Sequence, residues 1–209
     1  MSVANGRVRA IGLVGPSGAG KTSLRLALAA AGPHHSQNSE ASSELGFSSV
    51  TFMGDRYVIV DPPGAMDFAA EMDAALPAMD MTIVVVDPDP EKAALAQPYL
   101  RQLESLGAPR ALFVNKIDTA RGRIRDLIEA LQPMSAAPLV ARQIPIWRDE
   151  KAAGYVDLAL ERAYLFKPGA ASERVDIPDD LIEREHDARF HMLEQLADFD
   201  DELLEALLG

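Results

Sequence analysis

One octapeptide near the start of the sequence has the composition and spacing of a phosphate-binding loop. Residues 15–22 read GPSGAGKT, which is a complete G-x-x-x-x-G-K-[ST] pattern. Glycines let such a loop turn successive backbone N–H groups toward phosphate oxygens, and the positive end of the following helix adds to the attraction. Lys21 is expected to contact β- and γ-phosphates, and the Thr22 hydroxyl to bind Mg²⁺. The pattern predicts a nucleoside triphosphate site; the alternative is a glycine-rich turn that matches by chance.

The segments on either side of this loop have the character that the motif requires. Residues 8–14 form a short apolar run, which is typical of a strand in the centre of a sheet. Residues 23–31 carry Leu24, Leu26 and Leu28 among alanines, which predicts a buried helix. Strand, loop and helix therefore follow one another in the order that a phosphate-binding loop needs.

A second pattern, D-x-x-G, follows a predicted hairpin. Residues 48–53 and 57–60 are two strand-like runs joined by a Gly-Asp-Arg turn, and the second run leads into the sequence DPPG. At that position Asp61 is expected to hold Mg²⁺ through water, and the Gly64 N–H to contact the γ-phosphate. Alone the pattern is weak, because Asp-Pro and Pro-Gly pairs mark turns in many proteins. Its place one hairpin after the phosphate loop strengthens the assignment.

A third pattern, N-K-x-D, follows the apolar run at residues 110–114 directly and ends at Asp118. A carboxylate can accept hydrogen bonds from both N1–H and the exocyclic amine of guanine, a donor pair that adenine does not present. Asn115 is expected to tie the phosphate loop to this segment, and the stem of Lys116 to pack over the base. The alternative is a polar turn with a surface lysine. The three motifs in this order favour GTP over ATP.

The remaining runs alternate between strand and helix character. Residues 81–86 are continuously apolar, as in a strand buried on both faces of a parallel sheet. Helices are predicted over residues 68–79 and 91–106, the second closed by Gly107. Residues 32–47 are polar and rich in glycine and serine, which predicts a long mobile loop. Five strands are expected in one sheet, near Ile11, Val50, Ile59, Val84 and Phe113.

Composition and charge exclude several classes of function. The 209 residues are 48% apolar, but no run of about 18 apolar residues exists and residues 1–7 lack the core of a signal peptide. We therefore expect a cytoplasmic protein with no membrane partner. The absence of cysteine excludes disulfides and thiolate metal sites, which leaves Mg²⁺ as the expected metal. Net charge is −12, with 12 acids against 2 arginines in residues 176–209, which argues against direct non-specific nucleic-acid binding.

The three motifs resemble the first, third and fourth motifs of the translational GTPases. The segments PLVARQIPI (138–146), GYVDL (154–158), Ile177-Pro178 and FDDELL (199–204) resemble the insert that bacterial elongation factor G carries within its GTPase domain. This resemblance spans nearly the whole sequence and is nearest to the divergent elongation-factor-G-like paralogues.

The resemblance implies both an organisation and a set of functional residues. It implies an α/β P-loop NTPase domain over residues 1–137, with a mainly parallel sheet flanked by helices. A small α+β insert with acidic C-terminal helices would occupy residues 138–209. The domain would bind GTP or GDP with Mg²⁺ and hydrolyse GTP, with Lys21 and Gly64 as catalytic residues, and the insert would face the ribosome or a ribosomal stalk protein. The residues assigned to the nucleotide are Gly15, Ser17, Gly18, Ala19, Gly20, Lys21, Thr22, Ser23, Asp61, Gly64, Asn115, Lys116 and Asp118.

The sequence also departs from the family pattern, and the departures predict slow hydrolysis. Ala65 stands where elongation factor G has the histidine that orients the attacking water. Gly18 stands where its phosphate loop usually has an aspartate, and residues 39–43 replace its R-G-I-T-I switch segment. Only Ser42 or Ser43 could replace the Mg²⁺-binding threonine there. A nucleotide-binding module without hydrolysis, and a P-loop ATPase or kinase, remain as alternatives.

The last part of the sequence carries further expectations. The family's fifth motif, a Ser-Ala turn at the guanine, follows the insert, so the resemblance implies that the sequence ends before it. Ser135-Ala136 is interpreted as a loop because it precedes a strand. Trp147 and Tyr155 are expected in the core of the insert. Five apolar residues fit one helix packed on the insert's sheet, with the surrounding acids as a solvated or docking face: Leu181, Ile182, Phe190, Leu193 and Leu196.

Overall fold

The computed structural model describes residues 7–31, 36–38, 46–61, 75–120, 123–167, 169–197 and 199. The chain divides into two compact units, residues 1–136 (unit 1) and residues 137–209 (unit 2). None of the helices in the described ranges is long and apolar enough to cross a membrane.

Unit 1 is built on a six-stranded sheet in the order β2-β3-β4-β1-β5-β6. The strands are β1 (Val8–Val14), β2 (Ser36–Asn38), β3 (Gly46–Phe52), β4 (Asp55–Asp61), β5 (Met81–Val86) and β6 (Arg110–Val114). Strands β4, β1, β5 and β6 run parallel, while β3 is antiparallel to β4 and β2 to β3. All five predicted strands are present, and the predicted α/β class with a mainly parallel sheet is confirmed.

Strand β2 corrects the interpretation of residues 32–47 as one long loop. Its Ser-Gln-Asn segment pairs with β3 in an antiparallel ladder, in which Ser36 lies opposite Ser49 and Asn38 opposite Phe47. Strand β3 also begins at Gly46, inside the predicted loop. A three-residue polar segment has no apolar alternation to reveal it. Its strand character comes from backbone pairing with β3, which sequence patterns do not report.

Helices α1 (Lys21–Ala31), α2 (Gln97–Ser105) and α3 (Ile124–Leu131) belong to the same unit. The single helix predicted over 91–106 is divided, because residues 90–96 form 3₁₀ turns before α2 begins. Pro98 explains the division: it has no N–H for an α-helical bond, but it is tolerated in the first turn of a new helix. Helix α3 was not among the predicted elements. Most of the helix predicted over 68–79 lies outside the described residues.

The described residues of unit 2 form an antiparallel four-stranded sheet in the order β10-β9-β8-β7 and one long helix. The elements are β7 (Gln143–Arg148), β8 (Lys151–Asp157), β9 (Arg162–Leu165), β10 (Glu173–Val175) and α4 (Ile182–Ala197). Its buried core consists of Ile144, Ile146, Val156, Leu158, Ala163 and Met192.

The face of α4 that packs on this core differs in part from the predicted one. Leu181, just before the helix, and Leu193 pack against the core as expected. Phe190 is 59% exposed and Ile182 42% exposed, so these residues do not pack inward. Leu196 is also exposed. The buried side of α4 instead carries Glu185, Ala188 and Met192, which lie on one face of the helix because they are three and four positions apart.

The two aromatic residues expected in this core are only half-buried. Tyr155 alternates along β8 with the buried Val156 and therefore points to the other face of the sheet. There its ring stacks on that of Tyr164, with centroids 5.2 Å apart. Trp147, on β7, is likewise half-buried. The prediction that these residues form the core is wrong, because the core is filled by aliphatic side chains from the opposite face.

Candidate functional site

The three sequence motifs follow strands that end at one edge of the sheet in unit 1. Strands β1, β4, β5 and β6 are parallel and adjacent, so Val14, Asp61, Val86 and Val114 end on the same side. Ligands of open α/β sheets bind outside the carboxyl ends of such strands. The order of strands therefore collects segments that are about 100 residues apart in sequence.

The phosphate loop fits closely between neighbouring segments, and two of its glycines are required by that fit. Gly15 has φ +136°, and a Cβ there would overlap the carbonyl oxygen of Val85 in β5. Gly20 has φ +94°, and a Cβ there would overlap the Nδ2 atom of Asn115. Both backbone conformations lie in the region that glycine tolerates best. The loop glycines thus allow contact with β5 and with the N-K-x-D segment.

Lys21 is the first residue of α1 and its side chain is held inside the loop. Its Nζ atom donates hydrogen bonds to the carbonyl oxygens of Gly15 at 2.8 Å and Pro16 at 3.1 Å. Burial lowers the pKa of the ammonium, while the negative charge of Asp61 acts in the opposite direction. A buried ammonium that donates to neutral carbonyls is well placed to donate to phosphate oxygens instead.

Thr22 and Asp61 bring two hard oxygen ligands together beside the loop. The Thr22 hydroxyl donates to the Oδ2 atom of Asp61 at 2.6 Å, and Asp61 itself is buried. Hydroxyl and carboxylate oxygens suit Mg²⁺, which keeps several waters and is usually held by few protein groups plus phosphate oxygens. The donor set at this point therefore fits Mg²⁺.

The N-K-x-D segment contacts the phosphate loop directly. Asn115 donates through Nδ2 to the carbonyl oxygen of Ala19 at 2.8 Å, and Lys116 donates through Nζ to that of Gly18 at 2.5 Å. Lys116 has φ +53°, a left-handed conformation that turns the chain into the 3₁₀ turn Ile117–Thr119. Asp118 lies in that turn and is exposed to solvent at the same edge of the sheet.

The remaining predicted site residues either lie at the phosphate loop or fall outside the described residues. Ser17, Gly18 and Ser23 are exposed on or next to the loop, and Ala19 is buried beneath it. The other predicted positions, Gly64, Ala65, Ser42 and Ser43, lie outside the described residues.

Asp87, which follows β5, is a site residue that the sequence analysis missed. Its carboxylate lies 2.8 Å from Lys116 Nζ and 3.1 Å from Lys92 Nζ. Burial raises the pKa of Asp87, but hydrogen bonds and charge from Lys116 and Lys92 outweigh it, so the pKa lies below the usual range. The signal was available, because Asp87 ends an apolar strand in the same way that Asp61 ends β4. Asp87 thus holds Lys116, the lysine of the N-K-x-D pattern, against the phosphate loop.

Arg25 is the second residue that was missed, and it corrects the expected face of α1. The buried residues of α1 are Lys21, Arg25 and Ala29, four positions apart, whereas Leu26 is 37% exposed. Leucines were expected to mark the buried side. Instead the side facing β3 and β4 carries two basic residues, because it also faces Asp61. The spacing of Lys21 and Arg25 on one helical face was the signal that could have revealed this.

Comparison with known proteins agrees with this architecture. The sequence profile of the Elongation factor Tu GTP binding domain matches residues 6–147. The chain is 33% identical over 222 aligned residues to Elongation factor G-like protein of Synechocystis sp., which covers 98% of this chain and 33% of that protein. It is 36% identical over 149 residues to Elongation factor G 1 of Borreliella burgdorferi, covering 70% of this chain and 22% of that one.

A solved structure gives the same result for the fold. A crystal structure of a protein from Thermus thermophilus superposes with a TM-score of 0.82 at 27% identity, over 97% of this chain and 33% of that one. The chain thus spans about a third of the length of the Synechocystis relative and of this structure. The phosphate loop, the shared strand edge and the matched profile together show that the chain belongs to the family of the elongation factor Tu GTP-binding domain.

Proposed function

We propose that this chain binds GTP and GDP with Mg²⁺ and hydrolyses GTP slowly, as the nucleotide-binding part of an elongation-factor-G-like protein. The contacts of Asn115 and Lys116 with the carbonyls of Ala19 and Gly18 carry this proposal. They join a segment suited to reading a base to a loop suited to holding phosphates. Family membership and the resemblance to elongation-factor-G-like relatives support the translational role.

The triphosphate is proposed to lie across the phosphate loop, at the start of α1. Phosphate oxygens take the place of the Gly15 and Pro16 carbonyls on Lys21 Nζ, and the loop N–H groups and the helix N-terminus add further attraction. Thr22, and Asp61 through water, would hold Mg²⁺, which would supply positive charge to offset the negative charge that develops during transfer. In hydrolysis, water attacks the γ-phosphorus in line with its bond to the β–γ bridging oxygen; that bond breaks, and GDP and inorganic phosphate are released.

The base is proposed to be read by Asp118. Its carboxylate accepts hydrogen bonds from N1–H and the exocyclic amine of guanine, whereas adenine offers no such donor pair. The exposure of Asp118 beside the loop is compatible with this role. The same residue disfavours an ATPase or kinase, which is the alternative from another class of enzyme.

Slow turnover is proposed because of Ala65. A methyl group neither donates nor accepts a hydrogen bond, so it cannot orient the attacking water. The loss of one interaction made in the transition state typically costs about 10²–10³ in rate. A nucleotide-binding module without hydrolysis is the second candidate, and Ala65 is the observation that favours it. Single-turnover hydrolysis, with and without ribosomes, compared between the natural protein and Ala65→His, separates the two.

The partner and the location complete the proposal. The insert, residues 138–209, is proposed to face the ribosome or a ribosomal stalk protein, as the resemblance to elongation factor G implies. A cytoplasmic location accompanies that role.

Competition for one site is the experiment that tests nucleotide choice. A fluorescent GDP analogue is bound to the protein in millimolar Mg²⁺ and displaced with GTP, GDP or ATP. We expect GTP and GDP to displace it at far lower concentrations than ATP. Equal displacement by ATP would contradict the assignment of Asp118, and failure of the analogue to bind would contradict the proposed function.

A further inference from the structure

The buried guanidinium of Arg25 lies between α1, β3 and the carboxylate at the end of β4. Its Nη1 atom donates to the carbonyl oxygen of Phe47 at 3.1 Å and to the hydroxyl of Ser48 at 2.8 Å. Its Nε atom lies 3.5 Å from the Oδ2 atom of Asp61. The side chains of Arg25 and Asp61 are only 6% and 5% exposed. A cation is therefore fixed beside the carboxylate assigned to Mg²⁺.

The guanidinium of Arg25 packs so closely on Gly46 that a side chain at position 46 would force a shift. A Cβ built at Gly46, the first residue of β3, would lie 3.1 Å from Nε and 3.2 Å from Cζ of Arg25. The guanidinium thus lies directly against the backbone of Gly46. Among the described residues Nε has no hydrogen-bond acceptor, although it is buried. Leaving a buried N–H without an acceptor costs stability, and the attraction of Asp61 together with the two hydrogen bonds of Nη1 offsets that cost.

A fixed buried charge at this point affects Mg²⁺ and nucleotide in opposite ways. In the absence of metal, the carboxylate of Asp61 would repel phosphate oxygens, and Arg25 offsets that repulsion. In the presence of metal, the same positive charge repels Mg²⁺. Buried charges are weakly screened by solvent and salt, so both effects persist at physiological ionic strength. Each effect reduces the advantage that Mg²⁺ gives to nucleotide binding.

We propose that Arg25 is a positioning residue that makes nucleotide binding by this chain tolerant of low Mg²⁺. It holds Asp61 and the start of β3 in their places when no metal is bound. This inference rests on the proposed function, because it concerns the site assigned to GTP and GDP.

The test compares the dissociation constant of a fluorescent GDP analogue in millimolar Mg²⁺ with that in excess EDTA. The ratio of the two constants measures dependence on the metal. For the natural protein we expect a ratio below about ten-fold. For Arg25→Gln and Arg25→Met, which remove the charge, we expect the ratio to rise by about ten-fold or more, since one nearby unit charge is worth that much. Arg25→Lys, which keeps the charge, should stay within about three-fold of the natural protein.

Ser48→Ala is the matched control, because it removes a contact of Arg25 with β3 but leaves the charge in place. The ratio of its dissociation constants in EDTA and in Mg²⁺ should equal that of the natural protein. An unchanged ratio in Arg25→Gln, or an equal rise in Ser48→Ala, would overturn the role of the charge while leaving the proposed function intact. If neither uncharged variant folds, as judged by circular dichroism, a ratio of about a hundred-fold or more in the natural protein overturns the inference and a ratio below about ten-fold supports it. Failure of the natural protein to bind the analogue in Mg²⁺ overturns the proposed function, and the inference with it.

Discussion

Arg25 in α1 and Glu185 in α4 are both buried charged residues, and the surroundings of the two side chains differ. In α1 the guanidinium of Arg25 has a carboxylate, a hydroxyl and a carbonyl within reach. In α4 the carboxylate of Glu185 is 2% exposed, and its Oε1 atom has no hydrogen-bond partner among the described residues. The exposed His186 lies 3.9 Å from Oε2, and it forms an ion pair with Glu185 only when its imidazole is protonated.

The surroundings of Arg25 stabilise its buried charge, whereas those of Glu185 do not. Burial of an unpaired charge is unfavourable, while removal of one partner from a buried pair leaves the other charge uncompensated. Removing the charge should therefore change the free energy of unfolding in opposite directions at the two positions. In unit 1 the paired charge of Arg25 lies beside Asp61, at the proposed nucleotide site. In the described part of unit 2 no contact explains the burial of Glu185.

The largest effect is expected at the paired charge. Arg25→Met leaves the buried carboxylate of Asp61 without its guanidinium, so the free energy of unfolding should fall by about 3 kcal/mol. Urea unfolding in the absence of nucleotide measures the change. Arg25→Lys, which keeps the charge but has fewer donors, should lose less. A loss below about 1 kcal/mol in Arg25→Met would show that the pair contributes little to stability.

The opposite sign is expected at the unpaired charge. Glu185→Gln removes the cost of burying a carboxylate and should raise the free energy of unfolding at neutral pH by about 1–2 kcal/mol. Glu183→Gln on the exposed side of α4 is the matched control, and it should change the same quantity by less than about 0.5 kcal/mol. Destabilisation by Glu185→Gln would mean that the carboxylate has a partner and that the contrast with Arg25 is wrong.

A smaller and pH-dependent effect is expected at Asp87, which has partners but is less buried than Asp61. Because its pKa is lowered in the folded protein, its contribution is fully present above the ordinary aspartate pKa of about 4. That contribution is lost as the pH falls through the lowered value. Asp87→Asn should therefore be less stable than the natural protein at pH 7, and the difference should vanish in acid. A difference that persists unchanged in acid would contradict the role of the charge.

The smallest effect is expected at an exposed pair. Arg125 and Glu129 are 2.9 Å apart on α3, with side chains 77% and 62% exposed. Exposed pairs of this kind contribute little, so Glu129→Gln should change the free energy of unfolding by less than about 0.5 kcal/mol. A change as large as that of Arg25→Met would show that burial is not what distinguishes the two pairs.

Sequence patterns predicted the sheet better than they predicted the surroundings of the site. The run at 81–86 and the run at 110–114 match β5 and β6 in full, because continuous apolar runs between polar segments mark buried strands. The phosphate loop was recognised because its spacing is fixed. Strand β2 was missed because it is only three residues long and its residues are polar, so no apolar alternation marks it.

The partners of the motif residues were harder to predict because they depend on tertiary contacts. Nothing in the local sequence shows that Arg25 meets Asp61, or that Asp87 meets Lys116. The leucines of α1 suggested an apolar buried face, yet the side that faces the site is basic. Likewise, Phe190 was expected to pack inward on α4 and is exposed. An apolar pattern therefore fails to predict the buried face of a helix where a charged residue is buried in place of an apolar one, as at Arg25 and Glu185.

The choice of base by Asp118 is the most direct test of the proposal that this chain is a guanine-nucleotide domain. The measurement is the affinity of the natural protein and of Asp118→Asn for GTP, xanthosine triphosphate and ATP, by displacement of one fluorescent nucleotide. The amide presents a donor to the guanine donors, so the loss should exceed the roughly 1 kcal/mol of an ordinary hydrogen bond. We predict that GTP affinity falls and xanthosine triphosphate affinity rises. An unchanged ratio of GTP to ATP affinity in Asp118→Asn would contradict the account.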